Sequence, residues 1–170
     1  MRKASAVVAI AVLCAVLDVK AASEDATIYT SQIARYSDEN SIPKAVLAEC
    51  RLPQRQAELI EHVAKESGVV VVRDDTTVAA GKGRILLVEI SDTISSGNAF
   101  IGHRKLVKVK GRLLDDGNEV GSFTGQRSSM GGAFAGFQGS CSVLERCLST
   151  LAKDINVWLK SPTMNARIGE

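Results

Sequence analysis

The fold is decided by residues 103–128, which read HRKLVKVKGRLL (103–114), DDGN (115–118) and EVGSFTGQRS (119–128). Two stretches of alternating character flank the pair Asp116-Gly117. Asp-Gly between two such stretches is a strong signal for a tight hairpin turn. The sequence therefore predicts a long antiparallel hairpin with strands 103–114 and 119–128, against which the remaining elements must pack.

Helical and strand patterns surround this hairpin. Apolar residues recur at helical spacing between Pro53, a favourable first-turn residue, and Gly68, a typical helix end. A second helix is predicted over 142–160, with Ser142 and Glu145 forming a capping box at its start. Strands are predicted at 44–50, at 69–72, where the strand is buried, and at 85–90. A turn is predicted at 81–83 and a loop at 97–98.

This order of elements predicts an α+β fold. We expect a two-layer sandwich with a mostly antiparallel sheet of four to five strands and two helices packed on one face. The single domain would span 43–160, preceded by a flexible lead-in over 22–42 and followed by a loose tail over 161–170.

Residues 1–21 have the pattern of a secretory signal peptide. Two basic residues precede an apolar run from 4 to 17, and small residues suit cleavage after Ala21. The run is shorter than the roughly 20 residues of a membrane span, so an uncleaved anchor is the weaker alternative. Cys14 follows a bulky leucine and does not match a lipidation site. We therefore expect a periplasmic or secreted protein with no transmembrane span in the mature chain.

The charge balance argues against a nucleic-acid partner. The chain has 170 residues, 21 Lys and Arg against 19 Asp and Glu, and a net charge of +2. Cleavage after Ala21 would leave 18 basic and 18 acidic residues. A chain with no net positive charge lacks the general attraction to phosphate backbones that nucleic-acid-binding proteins use.

Three cysteines remain after such a cleavage: Cys50, Cys141 and Cys147. In an oxidising compartment we expect one disulfide and one free thiol. Cys141 and Cys147 are nearest in sequence, and Cys50 with either of them is the competing pairing. The sequence leaves these alternatives open.

The residues that catalysis or metal binding needs do not occur in a recognisable pattern. The two histidines, His62 and His103, have no metal-ligand spacing, and the chain contains no CxxC, GxSxG or HExxH motif. We therefore predict a protein that is not an enzyme and uses no cofactor or metal. A thiol enzyme is the alternative, although Cys147 on an apolar helix stripe is typical of an inert thiol.

The first candidate binding feature is a basic strand face. Strand alternation places Arg104, Lys108, Lys110 and Arg112 on one face, and a regular hairpin register puts Phe123 opposite Lys110. Such a strip could receive an anionic partner. The alternative is an ordinary solvated face whose charges are offset by neighbouring acids: Glu89, Asp92 and Glu119.

The second candidate is the glycine-rich segment 131–139 that precedes the last helix. Backbone N–H groups around Gly131, Gly132 and Gly136 could hold an anion. The alternative is a flexible loop whose two phenylalanines pack inward.

The succession GVVVV (68–72), KLVKVKGRLLDDGNEVGSFTG (105–125) and RSSMGGAFAGFQGS (127–140), leading into the last helix, resembles a family of bacterial envelope proteins that are often lipoproteins. Their α/β domain is similar to the periplasmic domain of the curli secretion channel and to the amino-terminal domain of TolB. The resemblance covers about residues 44–160. It implies a non-catalytic module that docks another envelope component, an envelope protein or an anionic molecule. The alternative function is a binder of a small anionic ligand or lipid head group through the basic face and the glycine-rich segment.

The export hypothesis makes a prediction about covalent state. Protein exported by a bacterial host should begin at Ala22 and carry one disulfide and one free thiol. Intact mass after alkylation, with and without reduction, measures both properties. An uncleaved chain with four reduced thiols would contradict export.

Overall fold

The computed structural model describes residues 27–98, 102–130 and 139–169. Its helices are α1 (Lys44–Glu49), α2 (Leu52–Ser67), α3 (Asp75–Ala80) and α4 (Ser140–Leu159). Its strands are β1 (Ile28–Thr30), β2 (Arg35–Tyr36), β3 (Val71–Arg73), β4 (Arg84–Asn98), β5 (Gly102–Asp115), β6 (Asn118–Met130) and β7 (Ala166–Ile168). The strands form one sheet, so the predicted α+β class is confirmed.

The hairpin β5–β6 has the predicted turn. Asp115 pairs with Asn118, and the two residues between them, Asp116 and Gly117, have positive φ angles of 46° and 82°. This is the type I′ geometry that matches the right-handed twist of a hairpin. The Asp116 carboxylate also accepts a hydrogen bond of 2.8 Å from the backbone N–H of Gly83, which ties the turn to the start of β4.

A β-bulge near the turn changes the register of this hairpin. Leu114 pairs with Glu119 but Leu113 pairs with Gly121, so Val120 is an extra residue on β6. One extra residue moves every later side chain of the strand to the opposite face of the sheet. Phe123 consequently lies opposite Gly111 and not opposite Lys110.

The sheet is larger and less antiparallel than predicted. Its strands lie in the order β3-β1-β4-β5-β6-β7, with β2 also beside β4. The long strands β4, β5 and β6 are antiparallel, whereas β1, β2, β3 and β7 join by parallel pairing. The prediction of four to five mostly antiparallel strands therefore holds for the three long strands only.

Part of the predicted flexible lead-in belongs to the sheet. Ile28 on β1 is only 1% exposed, and the Thr30 hydroxyl donates to the Leu86 carbonyl at 2.8 Å. The folded unit thus begins upstream of residue 43. A three-residue strand among polar neighbours is too short to show a period, because its burial is set by the strands beside it.

The predicted loose tail also contains a strand. After α4 the chain reverses through Asn165, whose φ is 56° and whose N–H donates to the Ser122 hydroxyl at 3.0 Å. β7 then pairs with residues 123–125 of β6, and Ile168 packs over Gly125. Two interactions hold this segment in place. It pairs with the backbone N–H and C=O groups at the edge of β6, and Ile168 fills the space above Gly125.

Three local predictions differ from the structure. Residues 44–49 form α1 and not a strand, which fits a run rich in Lys, Ala, Leu and Glu. The valine run ends in β3 at the sheet edge, where Val71 is buried but Val72 is 38% exposed, so only one side of this strand is buried. The predicted loop at 97–98 lies within β4.

The helices α2 and α4 pack on one face of the sheet, as predicted. They run in the same direction: Cys50 is bonded to Cys141 near their starts, and the Asn156 amide donates to the Ile60 carbonyl at 3.2 Å further along. α2 starts at the predicted proline, and Gly68 ends it with a φ of 75°.

The predicted capping box of α4 does not form. Gly139 is the N-cap and no side chain caps it. The Ser142 hydroxyl donates to the Gly139 carbonyl at 2.8 Å, and the Glu145 carboxylate lies 3.5 Å from the guanidinium of Arg55 on α2. Glu145 therefore links two helices and does not cap its own.

Two aromatic rings join the hairpin to α4. Phe123 is 2% exposed and meets Trp158 with ring centroids 4.8 Å apart. The Phe123 ring covers Gly111, and Trp158 covers Gly121, where a Cβ atom would lie 2.7 Å from the indole. Glycines on the sheet thus provide the space that these rings fill.

The packing of Phe123 over Gly111 predicts that Gly111→Ala destabilises the protein. A Cβ atom there would overlap the ring, and overpacking of this kind costs roughly 1–3 kcal/mol. Urea unfolding measures the change, with Ser128→Ala on the exposed side of β6 as a control that should stay within about 0.5 kcal/mol. A Gly111→Ala protein as stable as the native chain would contradict the bulged register.

The bond between Cys50 and Cys141 predicts a large contribution to stability, because it spans 91 residues of sequence. Replacing both with Ser should lower the free energy of unfolding by about 2–5 kcal/mol. Cys147→Ala leaves the disulfide intact and should cost less. Equal losses in the two proteins, measured by urea unfolding without reductant, would argue against this pairing.

Candidate functional site

The side of the sheet opposite α2 and α4, here called the outer face, carries the predicted basic strip. Strand alternation brings together side chains from four strands: Leu87 and Glu89 on β4, Lys108, Lys110 and Arg112 on β5, Ser122 and Thr124 on β6, and Arg167 on β7. The helices α2 and α4 pack on the other side of the sheet. The side chains of Lys108, Lys110 and Arg112 are 44%, 52% and 58% exposed.

Each lysine or arginine at the centre of the outer face has an acidic neighbour. The Lys110 ammonium lies 3.2 Å from Glu89 and the Lys108 ammonium 3.1 Å from Asp92. Arg112 lies 3.8 Å from Glu119. The three ion pairs are those that the alternative interpretation, a solvated face with offset charges, predicts. Exposed pairs of this kind contribute only about 0–1 kcal/mol each, so a partner could displace them at low cost.

The carboxylate of Glu89 contacts both the Ser37 hydroxyl and the Lys110 ammonium. Burial raises its pKa, but the Ser37 hydroxyl, which donates at 2.9 Å, and the nearby Lys110 ammonium outweigh that effect. The pKa of Glu89 consequently lies below its ordinary value. Glu89 thus stays ionised in mildly acid conditions and keeps Lys110 in place.

Other cations of this face have no such offset. Arg35 lies across from Glu89, and Arg167 lies across from Thr124. With Arg104 at the far end of β5, they are exposed and form no ion pair with a carboxylate of the described residues. The outer face therefore carries more positive than negative charge.

A shallow depression of about 680 Å³ lies at the centre of the outer face. Lys110, Arg112 and Arg167 line it together with Glu89 and Glu119. Its floor includes Leu87 and the backbone around Gly111. A depression with three cations and two acids is open to an acidic side chain or a small anion.

The side chain of Phe123 is not part of this surface, although the residue borders the depression. The bulge at Val120 turns it to the helix side, where it is buried against Trp158. The expected aromatic beside Lys110 is therefore replaced by Thr124. The glycine-rich candidate residues lie outside the described residues: Gly131, Gly132 and Gly136.

The other predicted features are elsewhere. The disulfide joins Cys50 to Cys141, and the third cysteine, Cys147, is buried as a free thiol. Burial raises the pKa of the Cys147 thiol, which is unfavourable for a nucleophile. His62 is an exposed residue of α2, 3.4 Å from Glu66. No His, Cys, Asp and Glu side chains of residues 27–98, 102–130 and 139–169 cluster as metal ligands would.

Two cations of the outer face could not be predicted from the sequence. Arg35 and Arg167 lie in segments interpreted as flexible. The signal for β7 in the sequence is the alternation of Ala166, Arg167 and Ile168. In the structure only the arginine of these three is exposed. Three residues are too few to separate this signal from chance.

Comparison with solved structures identifies the fold. A protein of the DUF330 family from Xanthomonas campestris superposes with a TM-score of 0.54 at 11% identity, over 78% of this chain and 82% of that one. This chain shares its fold. Two other structures match with a TM-score of 0.48 and 12% identity. They are a minor lipoprotein from Acinetobacter baumannii, over 81% of this chain and 94% of its own, and the PelC dodecamer from Paraburkholderia phytofirmans, over 77% and 89%.

By sequence, neither a family model nor a curated protein matches the chain. The expected similarity to the curli secretion channel and TolB stays a prediction. No helix in the described part of the chain has the length and apolar character that crossing a membrane requires.

Proposed function

We propose that this protein is a non-catalytic interaction module of the bacterial envelope that docks another envelope component through its outer face. The observation that carries the proposal is an open sheet face with weakly held ion pairs at its centre and unpaired arginines around them. An acidic partner surface would replace Glu89 and Asp92 as the counter-charge of the lysines.

Export to the periplasm, after cleavage near Ala21, is part of this proposal. The disulfide between Cys50 and Cys141 supports it, because such bonds persist in oxidising compartments. The likeness in fold to the curli channel and TolB domains expected from the sequence would fit the same function.

A docking partner should be lost when the charge of this face is reversed. A photo-crosslinking amino acid at Thr124, exposed on the outer face, should give a discrete adduct in exporting cells. We expect Lys108→Glu with Lys110→Glu to remove the adduct, since both lysines would then repel an acidic partner. These changes also place like charges beside Asp92 and Glu89, so Lys108→Gln with Lys110→Gln serves as a milder second variant.

The matched control has the same change in net charge at exposed sites away from the outer face: Lys82→Glu with Lys153→Glu. It should leave the adduct at Thr124 intact, and a probe at Thr150 on α4 should not give that adduct. An adduct that both lysine variants retain would rule out the outer face as the docking surface.

The depression on the outer face favours a second candidate function, the binding of a small anionic ligand or lipid head group. Lys110, Arg112 and Arg167 surround a space of suitable size for one head group. Under this function the probe at Thr124 would give no protein adduct. Anionic lipids would instead raise the unfolding midpoint of the native chain and not that of Arg167→Gln.

A further inference from the structure

A polar cluster lies on the helix-facing side of the sheet, beyond the buried Val107 and Val109 of β5. It consists of Thr93, Ser95 and Lys105 and is here called the Lys105 cluster. Ser95 pairs with Lys105 across β4 and β5, and Thr93 pairs with Val107 two residues along. Every second residue of β5 faces the helices, and these residues include Lys105 and the buried Val107 and Val109. The ammonium group of Lys105 therefore points to the same side as the core.

Lys105 is buried without a counter-charge. The residue is 5% exposed, and its ammonium donates one hydrogen bond of 2.8 Å to the Ser95 hydroxyl. Within the described ranges, no Asp or Glu oxygen forms an ion pair with it. Burying an ammonium group costs several kcal/mol unless an anion or several acceptors compensate it.

A second observation at the same place concerns Thr93. It is 3% exposed, and its hydroxyl oxygen is buried without a hydrogen-bond partner. Buried hydroxyls almost always have a partner in folded proteins. A hydroxyl with none among the described residues, on the same face as an ammonium that has one hydrogen bond, therefore points to a missing acceptor. The guanidinium of Arg127, which pairs with Val107 across β5 and β6, donates two hydrogen bonds to Asp154 and is neutralised by it.

The hydrogen-bond donors of the cluster that are not used within it determine which ligand group would fit there. The ammonium has three hydrogens and uses one, and the two hydroxyls add one each. These four donors include a formal positive charge, and they offer no carboxylate to repel an anion. A phosphate group, with several oxygens and at least one negative charge, satisfies more of these donors than a carboxylate does.

We propose that the Lys105 cluster is an internal binding site for a phosphate group, either free phosphate or the phosphate ester of a small molecule. Ser95 and Ser129 flank Lys105 on the two neighbouring strands and are both part-exposed. The site lies on the opposite side of the sheet from the outer face and does not depend on the proposed docking function.

The test compares unfolding midpoints in inorganic phosphate, glycerol 3-phosphate, acetate and chloride at one ionic strength. Native protein should gain about 3 °C or more in saturating phosphate or glycerol 3-phosphate over chloride. Lys105→Met, which keeps length and removes charge, should abolish the gain. Lys153→Met on the exposed side of α4 is the control and should keep it.

Thr93→Val keeps the shape of the side chain and provides a second variant if Lys105→Met does not fold. It should weaken phosphate binding about tenfold, as expected for the loss of one hydrogen bond to a charged ligand. Amide chemical shifts on phosphate titration should change at residues 93, 95 and 105. The proposal is overturned if phosphate gives no gain, if acetate gives as much, or if the gain persists in Lys105→Met.

Discussion

The single extra residue at Val120 determines which way each later side chain of β6 points. Without it, Phe123 would stand among lysines on the outer face. With it, Phe123 enters the core over Gly111 and the outer face keeps only small polar residues from β6. A bulge disrupts the hydrogen bonding of the ladder at one position, which costs roughly 0.5–1.5 kcal/mol, whereas burying an aromatic side chain contributes roughly 1.5–3 kcal/mol. The same residue therefore stabilises the core and leaves the basic strip accessible.

The core depends on how α4 is held against this hairpin. Trp158 fits over Gly121 and donates its indole hydrogen to the Thr163 carbonyl at 3.2 Å, which fixes the end of the helix. The disulfide at Cys141 fixes its beginning. α4 lies parallel to α2, and the segment that follows it reaches the edge of β6 and adds β7. The position of Arg167 on the outer face is a consequence of this packing on the opposite side.

Features that depend on a few neighbouring residues could be predicted from the sequence. The Asp116-Gly117 turn, the ends of α2 and the apolar stripe of α4 are of this kind. Features that depend on distant contacts could not. The three-residue strands β1 and β7 exist because longer strands offer them free edges, and Cys50 meets Cys141 because two helices run in the same direction. The bulge left no local signal, so the register and the position of Phe123 were wrong together.

The two faces of β5 use lysine in physically different ways. On the outer face, Lys108 and Lys110 are hydrated and paired, so their charges cost little and can be exchanged for those of a partner. On the helix side, Lys105 is buried with one hydrogen bond to a hydroxyl, and no carboxylate of the described residues pairs with its charge. A second bulge, at Ser91, turns Thr93 and Ser95 toward that lysine and sends Asp92 to the outer face. Were β4 regular, the acid would stand closer to the helix side and the hydroxyls would face solvent. The irregular strand thus separates the available carboxylate from the buried ammonium, which is the arrangement that an anion-binding site requires.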